Sequence, residues 1–113
     1  MDIFTQNVAG THVFRLRGDL KIGQPVDELR QSLEQLFAAG EAHIVIDLGE
    51  VNMMDSSGIG VLVRNLATAK QQGGSLKLVN PSKLTLQTLK MVGLLPLFEV
   101  FPDQQAAVAS FGN

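Results

Sequence analysis

The run "HIVIDL", His43 to Leu48, constrains the fold of this chain more than any other stretch. Its apolar residues are β-branched and nearly continuous, where a strand with one wet face would alternate. Such a strand has to be covered on both faces. A chain of 113 residues is long enough for one core and too short for two ordinary domains, so the strand is expected at the centre of a sheet within a single domain spanning residues 1–113.

The flanking segments supply what such a strand needs. "IFTQNVAGTHVFRLRGDL" alternates polar and apolar residues on both sides of Ala9-Gly10 and predicts a β-hairpin. "GQPVDELRQSLEQLFAAG" predicts a helix, with Pro25 in its first turn, Asp27 and Glu28 near the positive end of its dipole and Gly40 at its stop. Leu29, Leu33, Leu36 and Phe37 fall on its inward face. A second helix keeps its spacing from Gly58 onward through Ile59, Leu62, Val63, Leu66 and Ala67, with Arg64, Asn65 and Thr68 on another face, and ends at Gly73-Gly74. "SLKLVN" reads as a strand, Ser82 as the cap of a third helix, "LFEVF" as a last short strand and Asp103 as the cap of a fourth helix. The order β-β-α-β-α-β-α-β-α predicts an α/β fold: a mixed, mostly parallel sheet of about five strands with four helices packed against it.

Composition excludes several functions. Nine basic residues scattered through a chain of formal charge −2 form no stripe for a phosphate backbone, and all the aromatic residues are phenylalanine. Nucleic acid is not an expected partner. Without cysteine there is no thiol catalysis, disulfide or thiolate metal site. His12 and His43 have no ligand-like spacing to other donors, and no metal is expected. No run of about 18 apolar residues is present to span a bilayer, and "MDIFTQNVAG" has no signal-peptide pattern, so a cytoplasmic location is expected.

One stretch, "MMDSSGIGVLVR", Met53 to Arg64, puts two serines and two glycines where a helix should start. Asp55 or Ser56 explains itself as a cap for the unpaired N–H groups of the first turn. Gly58 and Gly60 do not, since each costs roughly 1 kcal/mol relative to alanine in a helix. Glycine in return leaves backbone bare for close approach by a ligand or partner. A helix N-terminus at the carboxyl end of a central parallel strand is also where open α/β sheets place their sites. A phosphate-binding loop is disfavoured by the absence of "GxxxxGK[ST]" and "GxGxxG" patterns and of a lysine nearby. A receiver that accepts phosphate on Asp55 would need further carboxylates for a divalent cation, and the opening strands carry no acidic pair. A Ser-His-Asp triad of Ser56, His43 and Asp47 lacks a nucleophile elbow. A serine phosphorylated by a partner kinase fits best: on Ser56 it adds roughly −1.5 to −2 charges where the helix dipole tolerates them, and it disrupts docking by repulsion and desolvation. Met53 and Met54 read equally as core filling or as soft contact surface beside this stretch. Met91, Leu94, Leu95 and Leu97 read either as a partner patch or, more simply, as packing of the last helix against the sheet, which is the expectation.

From Val45 to Phe101 the chain resembles the STAS domains of bacterial anti-sigma factor antagonists, through "DSSGIG", the "GG" before the next strand and the "VGLLPLFEVF" close. The resemblance implies that Ser56, directly after the aspartate, is the phosphorylation site. It further implies a partner surface comprising Asp55, Ser56, Ser57, Gly58, Ile59, Gly60 and Lys21. The partners it implies are an anti-sigma factor of the GHKL serine-kinase type, bound while Ser56 is unmodified and released on its phosphorylation, and a PP2C-type phosphatase that resets it. The chain would then be a substrate and ligand rather than an enzyme, with no cofactor of its own; ATP and magnesium belong to the kinase. One position departs from the family's pattern: "GDLK", Gly18 to Lys21, has lysine where members commonly have aspartate, which reverses the charge offered to a partner. STAS domains also act without phosphorylation as scaffold subunits of phospholipid-transport or stressosome-type complexes, and that alternative stays open at this stage.

Overall fold

The computed structural model describes residues 1–112. The chain forms β1 (Asp2–Val8), β2 (Thr11–Arg17), α1 (Gln24–Ala38), β3 (His43–Glu50), α2 (Ser56–Gln71), β4 (Ser75–Val79), α3 (Lys83–Met91), a 3-10 turn (Leu95–Leu97), β5 (Val100–Phe101) and α4 (Gln104–Ala109). The strands lie side by side in sequence order, β1-β2-β3-β4-β5. β1 and β2 pair antiparallel through the hairpin, and every later pair is parallel. The expected mixed, mostly parallel five-stranded α/β sheet with four helices is therefore what forms.

Side-chain alternation sorts the strands onto two faces. Phe14 and Leu16 of β2, Ile44, Ile46 and Leu48 of β3, and Leu76 and Leu78 of β4 point into the larger core, where α1 adds Leu29, Leu33 and Phe37, α2 adds Ile59, Leu62 and Leu66, and α3 adds Leu89. Val13, Val45 and Val79 point the other way and are covered by Ala107 and Val108 of α4. β3 is thus buried on both sides, as its continuous apolar run requires. Each fully buried leucine contributes roughly 1.5–3 kcal/mol of hydrophobic stabilisation.

The inward face of α2 differs from the expected one by a fraction of a turn. Asn65 is buried and donates to the Val61 carbonyl at 2.6 Å, whereas Ala67 is exposed. The stripe Gly58, Ile59, Val61, Leu62, Asn65, Leu66, Ala69 is the one turned inward. A polar side chain that bonds its own helix backbone fills an inward position without leaving a donor unpaired.

The two histidines and Lys77 take structural places. His43 stacks on Phe111 with ring centroids 4.7 Å apart, and Lys77 reaches over the same ring at 4.1 Å. The almost fully buried Lys77 ammonium also donates to Ser110 Oγ at 2.8 Å and lies 3.3 Å from Glu99. His12 lies 3.8 Å from Glu41. His43 begins β3 and Ser56 follows its far end, so the paper triad does not assemble; Asp47 instead accepts from the Gly49 amide and from the Gln104 side chain.

Candidate functional site

Beyond β3 the chain is steered by the loop that follows β2. Leu20 and Met54, both buried, form a parallel bridge. The Leu20 amide donates to the Met53 carbonyl at 2.9 Å, and the Asp55 amide donates to the Leu20 carbonyl at 3.3 Å. Two segments more than thirty residues apart thus run as one short ladder (Leu20 against Met54 and Asp55). Of the methionine pair, Met54 fills this junction and Met53 is exposed, so the two readings divide between them.

Asp55 closes the junction. One carboxylate oxygen accepts from the Gly58 amide at 2.9 Å and caps α2; the other accepts from the Ile22 amide at 2.9 Å. The cap is therefore Asp55 rather than Ser56. The Ile22 and Gly58 amides, with a lesser contribution from that of Ser57, hold the Asp55 carboxyl below its ordinary value of 3.8. Its negative charge is fixed beside the first turn of the helix.

Gly58 and Gly60 have different reasons to be glycine. A Cβ on Gly58 would run into the Leu20 carbonyl oxygen and lie 2.7 Å from Met54 Cγ, so this residue is bare to let the helix touch the loop. It is buried. The expectation that both glycines offer backbone to a partner is corrected at Gly58, where the close approach is internal. At Gly60 a Cβ would meet only Arg64 Nη2, at 3.7 Å, so that position is open and faces outward.

Gly60 lies in a groove of about 360 Å³ that Ser56 and Arg64 also line, with apolar walls from Ile59 and Val63 of α2 and from Val92 and Leu94 beyond α3. Ser56 is the first residue of α2 and is exposed. Its hydroxyl has no hydrogen-bond partner among the described residues. Ser57 is half-buried, and Ile59 reaches the groove although little of its surface is open to solvent. Lys21 is exposed between Leu20 and Ile22, the two residues that bind the Met53–Asp55 segment. The structure therefore gathers the seven expected residues at one edge, with Asp55 and Gly58 as its framework and Ser56, Gly60 and Lys21 on its surface.

The sequence does not single out Ile22 or Val92, and it leaves Met91 and Leu97 between a partner patch and the core. Ile22, Met91, Val92 and Leu97 are large apolar side chains left between about half and nine-tenths exposed, at 74%, 86%, 54% and 49%. Leu94 and Leu95 do pack against the core, but Met91 and Leu97 do not, which corrects the expectation that all four of that group pack inward. A signal was present: Met91 and Val92 stand outside the inward stripe of α3, whose buried members are Thr85 and Leu89. An edge combining an unpartnered hydroxyl, an apolar groove and scattered exposed apolar side chains has the make-up of a protein-docking surface.

Comparison with known proteins agrees on the fold. A family model described as the STAS domain matches residues 3–107. The anti-sigma-B factor antagonist of Bacillus subtilis (strain 168) is 36% identical over 80 residues, covering 71% of this chain and 72% of the relative. Two solved structures superpose closely at 23% identity. The anti-sigma factor antagonist SpoIIAA in its unphosphorylated form has a TM-score of 0.85, covering 96% of this chain and 95% of the other. The Bacillus cell fate determinant SpoIIAA in the phosphorylated form has a TM-score of 0.79, with coverage of 96% and 98%. With five strands in the same mixed sheet, α2 rising from a DSSG turn and a family match over nearly its whole length, the chain belongs to the STAS domain family.

Proposed function

We propose that residues 1–113 act as a single-domain anti-sigma factor antagonist switched by phosphorylation of Ser56. The observation that carries this reading is the placement of an exposed, unpartnered serine at the first position of α2, on the lip of an apolar groove. While Ser56 is unmodified, the groove and the surrounding apolar side chains accept an anti-sigma factor, and the sigma factor that it held is freed. The relative from Bacillus subtilis bears the name of such an antagonist, and SpoIIAA is described in both unphosphorylated and phosphorylated forms.

Phosphorylation needs no rearrangement of the fold to act. The positive end of the helix dipole at the start of α2 favours an anion there, so the phosphate is accommodated where it forms. Beside the fixed Asp55 carboxylate it adds roughly −1.5 to −2 charges to a surface that a partner has to desolvate. Docking is lost by repulsion and by the hydration of the phosphate. In this reading the partner is an anti-sigma factor of the GHKL serine-kinase type, which supplies ATP and magnesium, and a PP2C-type phosphatase restores the hydroxyl. The chain is substrate and ligand rather than catalyst, and works in the cytoplasm. Among the described residues no helix is long and apolar enough to cross a membrane.

The test is intact mass after incubation with ATP, magnesium and the candidate kinase encoded nearest to the gene, for the parent, Ser56→Ala and Ser57→Ala. One added phosphate, absent only from Ser56→Ala, is the expected result. Parent protein that stays unmodified with every candidate kinase would overturn the reading in favour of a scaffold that docks without modification.

A further inference from the structure

Arg64 has no role in the switch as described so far, yet its guanidinium sits in the same groove as Ser56. It is exposed and forms no ion pair among the described residues, whereas Arg15, Arg17 and Arg30 are all paired with carboxylates. Ser56, Gly60 and Arg64 are spaced by four and form one stripe along α2. Helical side chains lean toward the N-terminus, and this one does: Arg64 Nη2 lies 3.7 Å from where a Cβ on Gly60 would be. Eight residues of helix, from Ser56 to Arg64, rise about 12 Å, so a guanidinium beside Gly60 has covered about half of the distance to Ser56 across a bare glycine. A phosphoserine side chain with one charge-assisted hydrogen bond of about 2.8 Å spans the remainder.

We propose that Arg64 is the intramolecular counter-ion of phosphorylated Ser56, drawn along the Gly60 track so that the ion pair itself fills the groove. This rests on the reading of Ser56 as the modified residue and adds how the mark is read. Closure then comes from occupancy: guanidinium and phosphate lie where a partner's apolar side chain would enter between Val63 and Val92. Two other charged groups belong to the same edge. The Asp55 carboxylate opposes the phosphate but is engaged by the Ile22 and Gly58 amides, and Lys21, exposed on the loop between Leu20 and Ile22, does not line the groove.

The test installs phosphoserine at position 56 during translation, so that no natural kinase is needed, and follows its second ionisation by phosphorus NMR in the parent, Arg64→Gln and Lys21→Gln proteins. The ordinary second pKa of a phosphoserine is near 6. The parent value should lie about half a unit or more below that of Arg64→Gln, because an adjacent cation favours the dianion, and the gap should shrink in about 1 M salt. Arg64→Lys should restore part of it. Equal values in parent and Arg64→Gln, or a shift removed by Lys21→Gln alone, would overturn the proposal. Whether the natural protein carries phosphate on Ser56 is read separately, from its intact mass, so the two failures are distinguishable.

Discussion

Replacing each glycine of the "GIG" turn by alanine should move stability in opposite directions, although both substitutions are Gly→Ala within two residues of one helix. Alanine is favoured over glycine in a helix by about 1 kcal/mol at either site. At Gly60 nothing offsets that gain, since the new methyl meets only the Arg64 side chain at 3.7 Å, ordinary van der Waals contact. At Gly58 the methyl would collide with the Leu20 carbonyl oxygen and stand 2.7 Å from Met54 Cγ and 3.0 Å from Leu20 Cγ. Overpacking a tight site costs about 1–3 kcal/mol, and the upper end applies where the obstacle is backbone that cannot rotate away. Gly60→Ala should therefore stabilise by about 1 kcal/mol, and Gly58→Ala should destabilise by about 1–2 kcal/mol, after propensity and overpacking are combined. Urea denaturation resolves this. With m of about 1–3 kcal/mol/M, the midpoints should separate by roughly 1 M or more at unchanged slope. A Gly58→Ala protein as stable as Gly60→Ala would refute the close approach of helix and loop. The same pair should separate stability from function, because Gly60→Ala, the more stable protein, narrows the groove and should bind the anti-sigma factor less tightly.

Asp55→Asn should lower stability at neutral pH and remove part of the acid sensitivity. The Asp55 carboxyl is held below its ordinary 3.8 in the fold, so its contribution is present above that value and is lost as pH falls through the lower folded value. The gap in urea midpoint between parent and Asp55→Asn should therefore close below about pH 4. Ser56→Ala should change the midpoint by an amount equivalent to less than about 0.5 kcal/mol, since Ser56 is exposed and does not cap the helix. Ser56→Asp should remain folded but bind the anti-sigma factor at least tenfold more weakly in calorimetric titration, while Ser56→Ala retains binding. Val92→Asp, at an exposed groove wall, should melt within a few degrees of the parent and yet lose most of its partner affinity; undiminished binding would remove the groove from the docking surface.

The elements and their order were legible because each carried a local signal: continuous apolar residues in β3, alternation in the hairpin, and serine or aspartate caps before α3 and α4. Ser56 stands out in the sequence because a serine-glycine setting makes a poor helix start, and the structure leaves it exposed at the first position of α2. What the chain could not announce was contact between distant segments. Gly58 looked like a surface residue until Leu20, nearly forty positions earlier, was found against it. Asp55 looked like an ordinary cap, since its second oxygen binds Ile22 only in the folded chain. Periodicity placed Asn65 outward because it is polar, and the acceptor that satisfies it, the Val61 carbonyl, lies on its own helix. Apolar character favours the core for Met91 and Leu97, yet both stay exposed, because apolar atoms also cover much of any folded surface.

The contact between the Leu20 carbonyl and Gly58, with Asp55 bonded to both segments, has a consequence for affinity. Association is opposed by the loss of freedom in every loop and side chain that must be ordered at the interface. Here the loop of residues 18–22 and the segment leading into α2 are already joined by three hydrogen bonds, Leu20 amide to Met53 carbonyl, Asp55 amide to Leu20 carbonyl and Ile22 amide to the Asp55 carboxylate. A partner meets a preorganised platform whose ordering cost was met during folding. A small contact area can then support tight binding, and one covalent mark of a few atoms is large enough, relative to that area, to abolish it.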